Sequence, residues 1–258
     1  MRMRVITPLH NLDGFPELPD CSALTPCREK ARTVGAFYLV PQGITAVYDR
    51  ALSALGKGRV LLIYIDGLGY SLYDRARLPF IKRTFLCTPV RTAWPPLTQP
   101  CMASMLTGVW PDAHGVYTRR DHKPASPSLM AVPGAVWVEA DSAPLVLEKP
   151  PILTLPQRGE NIDTAVLRAA LCEIQGSAPL LIVHFHGLDD LEHDVGDDLA
   201  SLQGKLAELD DAVRQLCAGF RGTAILCADH GAHREGGAGA HGAFDYRDMF
   251  VPLGEAAL

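Results

Sequence analysis

The sequence predicts an α/β fold: a three-layer sandwich with a mostly parallel central sheet flanked by helices and a small cap-like insertion. Three observations carry this expectation. Short apolar runs at 59–65, 180–186 and 223–228 lack polar alternation, as strands buried on both faces do. Helix-period segments separate them. Each run also ends in a carboxylate: Asp66, Asp189 and Asp229 follow the three in turn. Ligand sites of open α/β sheets gather outside the carboxyl ends of the strands, so the repeated ending points to a site.

The first helix is set by Ile44, Val47, Tyr48, Ala51, Leu52 and Leu55 on one face, with Gly56 placed to stop it. A second spans about 162 to 174, with Val166, Leu167, Ala170, Leu171 and Ile174 inward. A third carries Leu199, Leu202, Leu206, Leu209, Val213 and Leu216 at alternating spacings of three and four. That spacing would also suit a coiled coil, but one helix between two buried strands is read as a cover for the sheet. Residues 1 to about 42 carry Pro8, Pro16, Pro19, Pro26 and Pro41 and read as an extended wrap. The stretch from about 109 to 160 is rich in proline and polar residues. It holds two strand-like runs, 135–140 and 144–147, and reads as an insertion or cap within a single domain spanning 1–258.

Composition narrows the function. The chain is 48% hydrophobic and 21% charged, with a net charge of −5, so no nucleic-acid polymer is expected as partner, nor an anionic membrane. A small anionic substrate stays compatible, because bound metal can outweigh a modest global charge. No run of about 18 apolar residues suggests a membrane span. Met1-Arg2-Met3-Arg4 is basic, but Pro8, His10, Asn11 and Asp13 follow too soon for a signal-peptide apolar core, and a cytoplasmic location is expected. The seven cysteines form no C-x-x-C pair and read as buried or idle thiols. Nothing in the chain specifies an oligomeric state.

Asp189 and His193 lie four apart, Asp229 and His230 are adjacent, and His241 sits in Gly-Ala-His-Gly. Mixed carboxylates and imidazoles suit Zn²⁺ or Mn²⁺ better than Mg²⁺ or Ca²⁺. Gly67, Gly187, Gly231 and Gly242 beside these residues permit tight turns. Thr98 precedes a helix expected over 99–106, with Pro100 in its first turn. As N-cap, Thr98 is either a structural cap or a nucleophile at a helix start that welcomes a phosphate oxygen. A threonine hydroxyl needs activation, and a metal can provide it.

Asp66 after a buried strand, Thr98 in T-x-P before a helix ending in Thr107-Gly108, D-x-x-x-H-x-x-G from Asp189 to Gly196, Asp229-His230-Gly231 and Gly239-x-His241-Gly242 follow one order. In that order and spacing the chain resembles the alkaline phosphatase superfamily, and most of all its nucleotide pyrophosphatase/phosphodiesterase branch. Trp110 to Gly115 resembles the Y-P-E-S-H-G segment of that branch. The motifs span residues 59 to 245. The resemblance implies one metal held by Asp189, His193 and His241, and another by Asp66, Asp229 and His230 with the Thr98 oxygen. It implies a phospho-threonine at Thr98, and so a metal-dependent phosphoric ester hydrolase acting on a small phosphorylated substrate. A phosphomonoesterase, a phosphonate hydrolase or a phosphomutase would use the same scaffold; a non-catalytic metal-binding module is the reading from another class.

Two departures matter. Cys101 stands where the branch carries a phosphate-holding asparagine, and a thiol is a poor donor. Met102 stands where the sulfatases' C-x-P-x-R has arginine, which argues against a sulfatase. Asp190, Glu192, Asp194, Asp197 and Asp198 read as solvated charges or helix-start residues. His184 and His186 share a strand face, with His186 open as either a core histidine or a partner of a metal ligand. His114 and His233 read as structural or rim residues. Arg119, Arg120, His122 and Lys123 could meet a substrate anion or form a solvated basic face.

Overall fold

The computed structural model describes Thr33, Ala36 and residues 39–258. The expected N-terminal wrap lies almost wholly outside the described residues, as do Cys21 and Cys27.

The three apolar runs form β1 (Val60–Ile65), β5 (Leu180–Phe185) and β6 (Thr223–Cys227). Every residue of β1 and β5 is buried, as runs without alternation require. With β2 (Thr88–Arg91), β3 (Val136–Glu139), β4 (Ile152–Leu153) and β9 (Phe250–Ala257) they make a seven-stranded sheet, ordered β2-β9-β6-β1-β5-β3-β4. β1 pairs in parallel with both β5 and β6, through Val60↔Leu180 and Val60↔Thr223. β3 pairs in parallel with β5 and with β4, and β9 runs against β6 and β2. A hairpin of β7 (His233–Glu235) and β8 (Ala238–Ala240) stands apart from this sheet.

Helices flank the sheet in two groups. α1 (Ala46–Leu55) packs on α4 (Thr98–Thr107) and against β1 and β6. α3 (Pro79–Phe85), α6 (Ile162–Ile174) and α8 (Leu199–Gly219) form the other group, with α8 touching both neighbours. α2 (Tyr70–Arg75), α5 (Pro111–His114), α7 (Gly187–Val195) and α9 (Tyr246–Met249) are short and lie in the connections. The side chains of Asn161 and Asp198 cap α6 and α8 by accepting the Thr164 and Ser201 N–H groups. Leu202, Leu206, Leu209, Val213 and Leu216 are buried, so α8 covers the sheet side as its period requires. On α1 the buried stripe is Val47, Ala51 and Ala54, while Leu52 faces solvent.

The stretch read as a cap divides in two. Its first part holds α5, a 3₁₀ turn at Leu129–Ala131 and the loop carrying Arg119. Its second part joins the main sheet, because the run at 135–140 pairs with β5 as β3. Pro144 to Leu147 is not a strand; the partner of β3 is β4, further on. Strand β9 is masked in the sequence by Pro252 and Gly254, residues that weaken a strand reading. Pro252 pairs with Pro89 of β2, and a side chain at Gly254 would strike the Phe85 carbonyl.

Candidate metal centre

The site lies beyond the carboxyl ends of β6, β1, β5 and β3, which are neighbours in the sheet. Asp66 leaves β1 with its N–H donated to the Phe185 carbonyl, 2.9 Å away. Gly67 then turns at φ +81° and gives its N–H to Asp229 Oδ1 at 3.2 Å, which fixes the carboxylate after β6. A Cβ at Gly67 would meet the Glu192 carboxylate, so both the turn and the space demand glycine.

α7 carries Asp189 and His193 one turn apart, with His193 Nε2 at 3.2 Å from Asp189 Oδ2. Its start is held by Asp163, whose Oδ1 accepts the N–H groups of His186 (2.9 Å) and Gly187 (3.0 Å). Asp163 Oδ2 is paired with Lys205 at 3.1 Å. Nothing in the sequence marks Asp163 beyond a place in the first turn of α6. The β7–β8 hairpin lies on α7 so closely that a side chain at Gly239 would overlap the Glu192 carbonyl. This approach brings His241 to the His193 ring, 5.2 Å between centroids, and stacks it on His230 at 3.8 Å.

The six expected ligands therefore meet, as two triads. Asp189, His193 and His241 offer ligand atoms within 4.8 Å of one another, and so do Asp66, Asp229 and His230. His230 Nε2 lies 3.2 Å from Asp229 Oδ2 and 3.4 Å from Asp66 Oδ1. Among the buried side-chain oxygens, Asp66 Oδ1, Asp189 Oδ1 and Asp229 Oδ2 lack any hydrogen-bond partner. Burial, with the Asp229 and Asp189 carboxylates close by, pushes Asp66 well above the usual carboxylate range. Such crowded, orphaned acceptors are costly alone and suited to cations.

The imidazoles are arranged to match. His241 Nδ1–H donates to the Pro96 carbonyl at 3.2 Å, and His230 Nδ1–H to the Gly231 carbonyl at 3.3 Å. Both leave Nε2 facing the cluster with its lone pair, the form a metal takes. Burial, then the neighbouring His230, pull His241 down to about 4, which keeps it neutral. The donor set fits two divalent cations.

Thr98 is not the N-cap. Leu97 holds that place in extended conformation, and Thr98 is the first helical residue of α4. Its hydroxyl is thereby released from capping and lies 3.3 Å from His230 Nε2. Cys101 is turned away from this opening. It is fully buried, its thiol beside the Ala93 and Pro95 carbonyls, and burial pushes its pKa well up. The Arg119 guanidinium reaches the cluster, 2.7 Å from His241 Nε2.

His114 is structural. Its Nδ1 accepts the Val116 N–H at 3.1 Å, and its Nε2–H reaches Ser104 Oγ at 2.9 Å, tying α5 to α4. His233 pairs with Asp248 at 2.8 Å. Asp197 pairs with Arg75, and Asp198 caps α8. Glu192, expected to be solvated, is buried beneath Gly67; burial and the carboxylates around it push it well above its usual range. Its place one helical turn from Asp189 puts it on the inner face of α7, not in water.

His184 and His186 belong to a third group. His184 Nδ1–H donates to Glu139 Oε2 at 2.8 Å, and His186 Nε2–H to Glu139 Oε1. Burial alone would raise Glu139, but the two imidazoles that donate to it, His184 first, hold its carboxyl at about 2. Glu139 was missed in the sequence, yet it carries the signal used for the others: a carboxylate closing a buried strand.

Residues 60–132 match the sequence profile described as Type I phosphodiesterase / nucleotide pyrophosphatase. No curated protein matches the chain. Among solved structures, a 2-O GAG sulfatase is 13% identical over 78% of this chain and 64% of its own, with a TM-score of 0.61. Murine ectonucleotide pyrophosphatase / phosphodiesterase 5, as an inactive variant in complex with AMP, is 16% identical over 69% and 58%, with a TM-score of 0.55. Phosphonoacetate hydrolase from Sinorhizobium meliloti 1021, in complex with phosphonoacetate, is 15% identical over 68% and 57%, with a TM-score of 0.54. At such identities the likeness is one of fold, and the chain spans less than two thirds of each of these structures.

Proposed function

We propose that this chain is a member of the alkaline phosphatase superfamily, on its type I phosphodiesterase / nucleotide pyrophosphatase side, and that it hydrolyses phosphoric esters through Thr98. The observation that carries the reading is the Thr98 hydroxyl at the start of α4, 3.3 Å from His230 Nε2 and beside two ligand triads. Asp189, His193 and His241 would hold one divalent cation, and Asp66, Asp229 and His230 the other. The mixed donor set favours Zn²⁺, with Mn²⁺ as the second choice. Bound there, the cations would supply Lewis-acid charge that lowers the hydroxyl pKa and stabilises the oxygens around phosphorus.

The residues set the rest. Thr98 Oγ1 attacks phosphorus, the ester oxygen leaves, and the phosphoryl group stays on Thr98 until water releases it. The free N–H groups of the first turn of α4 and the Arg119 guanidinium meet the phosphoryl oxygens, because Cys101 is turned into the core. Met102 is buried and offers no charge where a sulfatase carries arginine, so an ester of phosphorus fits better than one of sulfur. A nucleotide ester is the first substrate class to test, since one fold neighbour holds AMP; phosphonates are the second, since another holds phosphonoacetate. No helix among the described residues is long and apolar enough to cross a membrane. A cytoplasmic setting accords with the free thiols of Cys87, Cys101, Cys172, Cys217 and Cys227.

The test is a Zn²⁺-loaded chain assayed on bis-p-nitrophenyl phosphate, p-nitrophenyl phosphate and a thymidine ester, beside Thr98→Ala. The variant is expected to keep its metal and lose turnover, while acid quenching of wild type traps phosphate on Thr98. Unchanged turnover in Thr98→Ala would sink the covalent route, and inactivity with every metal would favour a binding module.

A further inference from the structure

The His184–His186 pair, which shares Asp66 with one triad, is not used by the chemistry above. Asp66, His184 and His186 bring ligand atoms within 4.8 Å of one another. The sheet builds this place directly. Tyr64 is in register with His184, and Val138 with Val183, so Glu139 sits beside His184 across β3, β5 and β1. Tyr64 stacks flat on His184, 3.8 Å between centroids with 5° between planes, and holds the ring. Glu139 accepts from the far nitrogen of each imidazole. The near nitrogens, His184 Nε2 and His186 Nδ1, then face Asp66 Oδ2 at 3.3 and 3.8 Å with lone pairs. His184 is fully buried, and its Nε2 has no hydrogen-bond partner. A carboxylate that grips histidines from behind fixes their tautomer and orientation for a metal in front.

We propose that Asp66, His184 and His186 form a third site, for a divalent transition-metal ion, with Glu139 as its positioning residue. Two imidazoles and one carboxylate suit Zn²⁺, Co²⁺ or Mn²⁺ better than Mg²⁺. Asp66 is then shared. Its Oδ1 faces His230 and the Thr98 side, and its Oδ2 faces the histidine pair. An ion on the pair would fix the carboxylate that also serves the neighbouring triad. The site shares Asp66 with the reading above, but its two histidines and Glu139 stand independently of it.

The experiment is titration of the metal-stripped chain with Co²⁺, followed by its visible absorption, and direct metal analysis after saturation with Zn²⁺. Wild type is expected to bind three ions. His186→Asn, at the part-exposed end of the pair, should lose one and keep two, with the circular dichroism of wild type. Glu139→Gln should weaken the third ion by about 10–100-fold. Two ions in wild type, both retained in His186→Asn, would overturn the third site and leave the two-cation reading untouched. A wild type that loses no ion on His193→Asn would instead remove that reading, not this one. Should His186→Asn not fold, the Co²⁺ endpoint of wild type decides alone, at three equivalents or at two.

Discussion

The Arg119 guanidinium lies 2.7 Å from His241 Nε2, reaching from the loop after α5 to the nitrogen that faces the metal triad. Its position beside the ligand triads puts a fixed positive charge where an anionic substrate would lie. Arg119→Ala should therefore keep the fold and raise KM. A charge-assisted hydrogen bond of about 1.5–3 kcal/mol corresponds to a loss of roughly 10–100-fold in kcat/KM. Arg119→Lys should restore only part, having charge without the planar fork. Steady-state kinetics of the Zn²⁺-loaded variants checks this; an unchanged KM would place Arg119 outside the substrate site.

Asp163 shows how the scaffold aims the ligands. Its carboxylate holds the start of α7 and is paired with Lys205, largely out of solvent. Asp163→Ala leaves Lys205 with only the part-exposed Glu208, 3.0 Å away, so the loss should fall below that of a fully buried pair, about 3–5 kcal/mol. Affinity at Asp189 and His193 should fall with it. Urea unfolding and Zn²⁺ titration measure both, and loss of stability with metal binding intact would confine Asp163 to the fold.

Gly67→Ala forces a left-handed φ onto a side chain and pushes Cβ against Glu192. Strain of this kind costs about 1–3 kcal/mol, which lowers Tm by roughly 2–12 °C in a domain of this size. Because Gly67 also grips Asp229, the Asp66 triad should bind its cation more weakly. A thermal melt with and without Zn²⁺ separates the two effects.

His114 sets a pH response. Burial lowers its pKa to about 4, in keeping with an Nδ1 that already accepts the Val116 N–H. A depressed imidazole pKa means the unfolded chain binds the proton first as pH falls. The contribution is thus complete above the ordinary value of about 6.5 and is lost progressively between there and about 4. Urea midpoints at pH 7.5 and pH 4.5 for wild type and His114→Gln isolate this share. An imidazole that titrates near its ordinary value by NMR would contradict it.

The grouping of the six candidate ligands and Thr98 was legible because each follows a local signal: a buried run, a helix start, or glycines beside a polar residue. The structure brings all seven together. Glu139 carried the same signal but was hidden, since β3 has only four residues within a proline-rich stretch. Thr98 was displaced by one position, because an extended Leu97 caps a helix without any capping side chain. Glu192 looked like one more surface charge among Asp189, Asp190 and Asp194, and only the packing of α7 beneath the Gly67 turn decides that it is buried. Asp163 had no signal, since a carboxylate in a first helical turn is ordinary. β9 was lost because sequence patterns reject its proline, yet Pro252 lies where β9 is paired with β2 alone, before its pairing with β6 begins at Leu253.

The sheet order also bears on how the chain reaches its native state. β1 is central, yet its partners are β5 and β6, far downstream at Leu180 and Thr223. Its six buried apolar residues must therefore remain unpaired while most of the chain is synthesised. Parallel pairings of this span carry a large loop-closure cost and form late, which exposes sticky intermediates. Slow refolding from urea, a need for chaperones at high expression and a marked gain in yield at low temperature are the practical signatures of placing the earliest of the described strands at the centre.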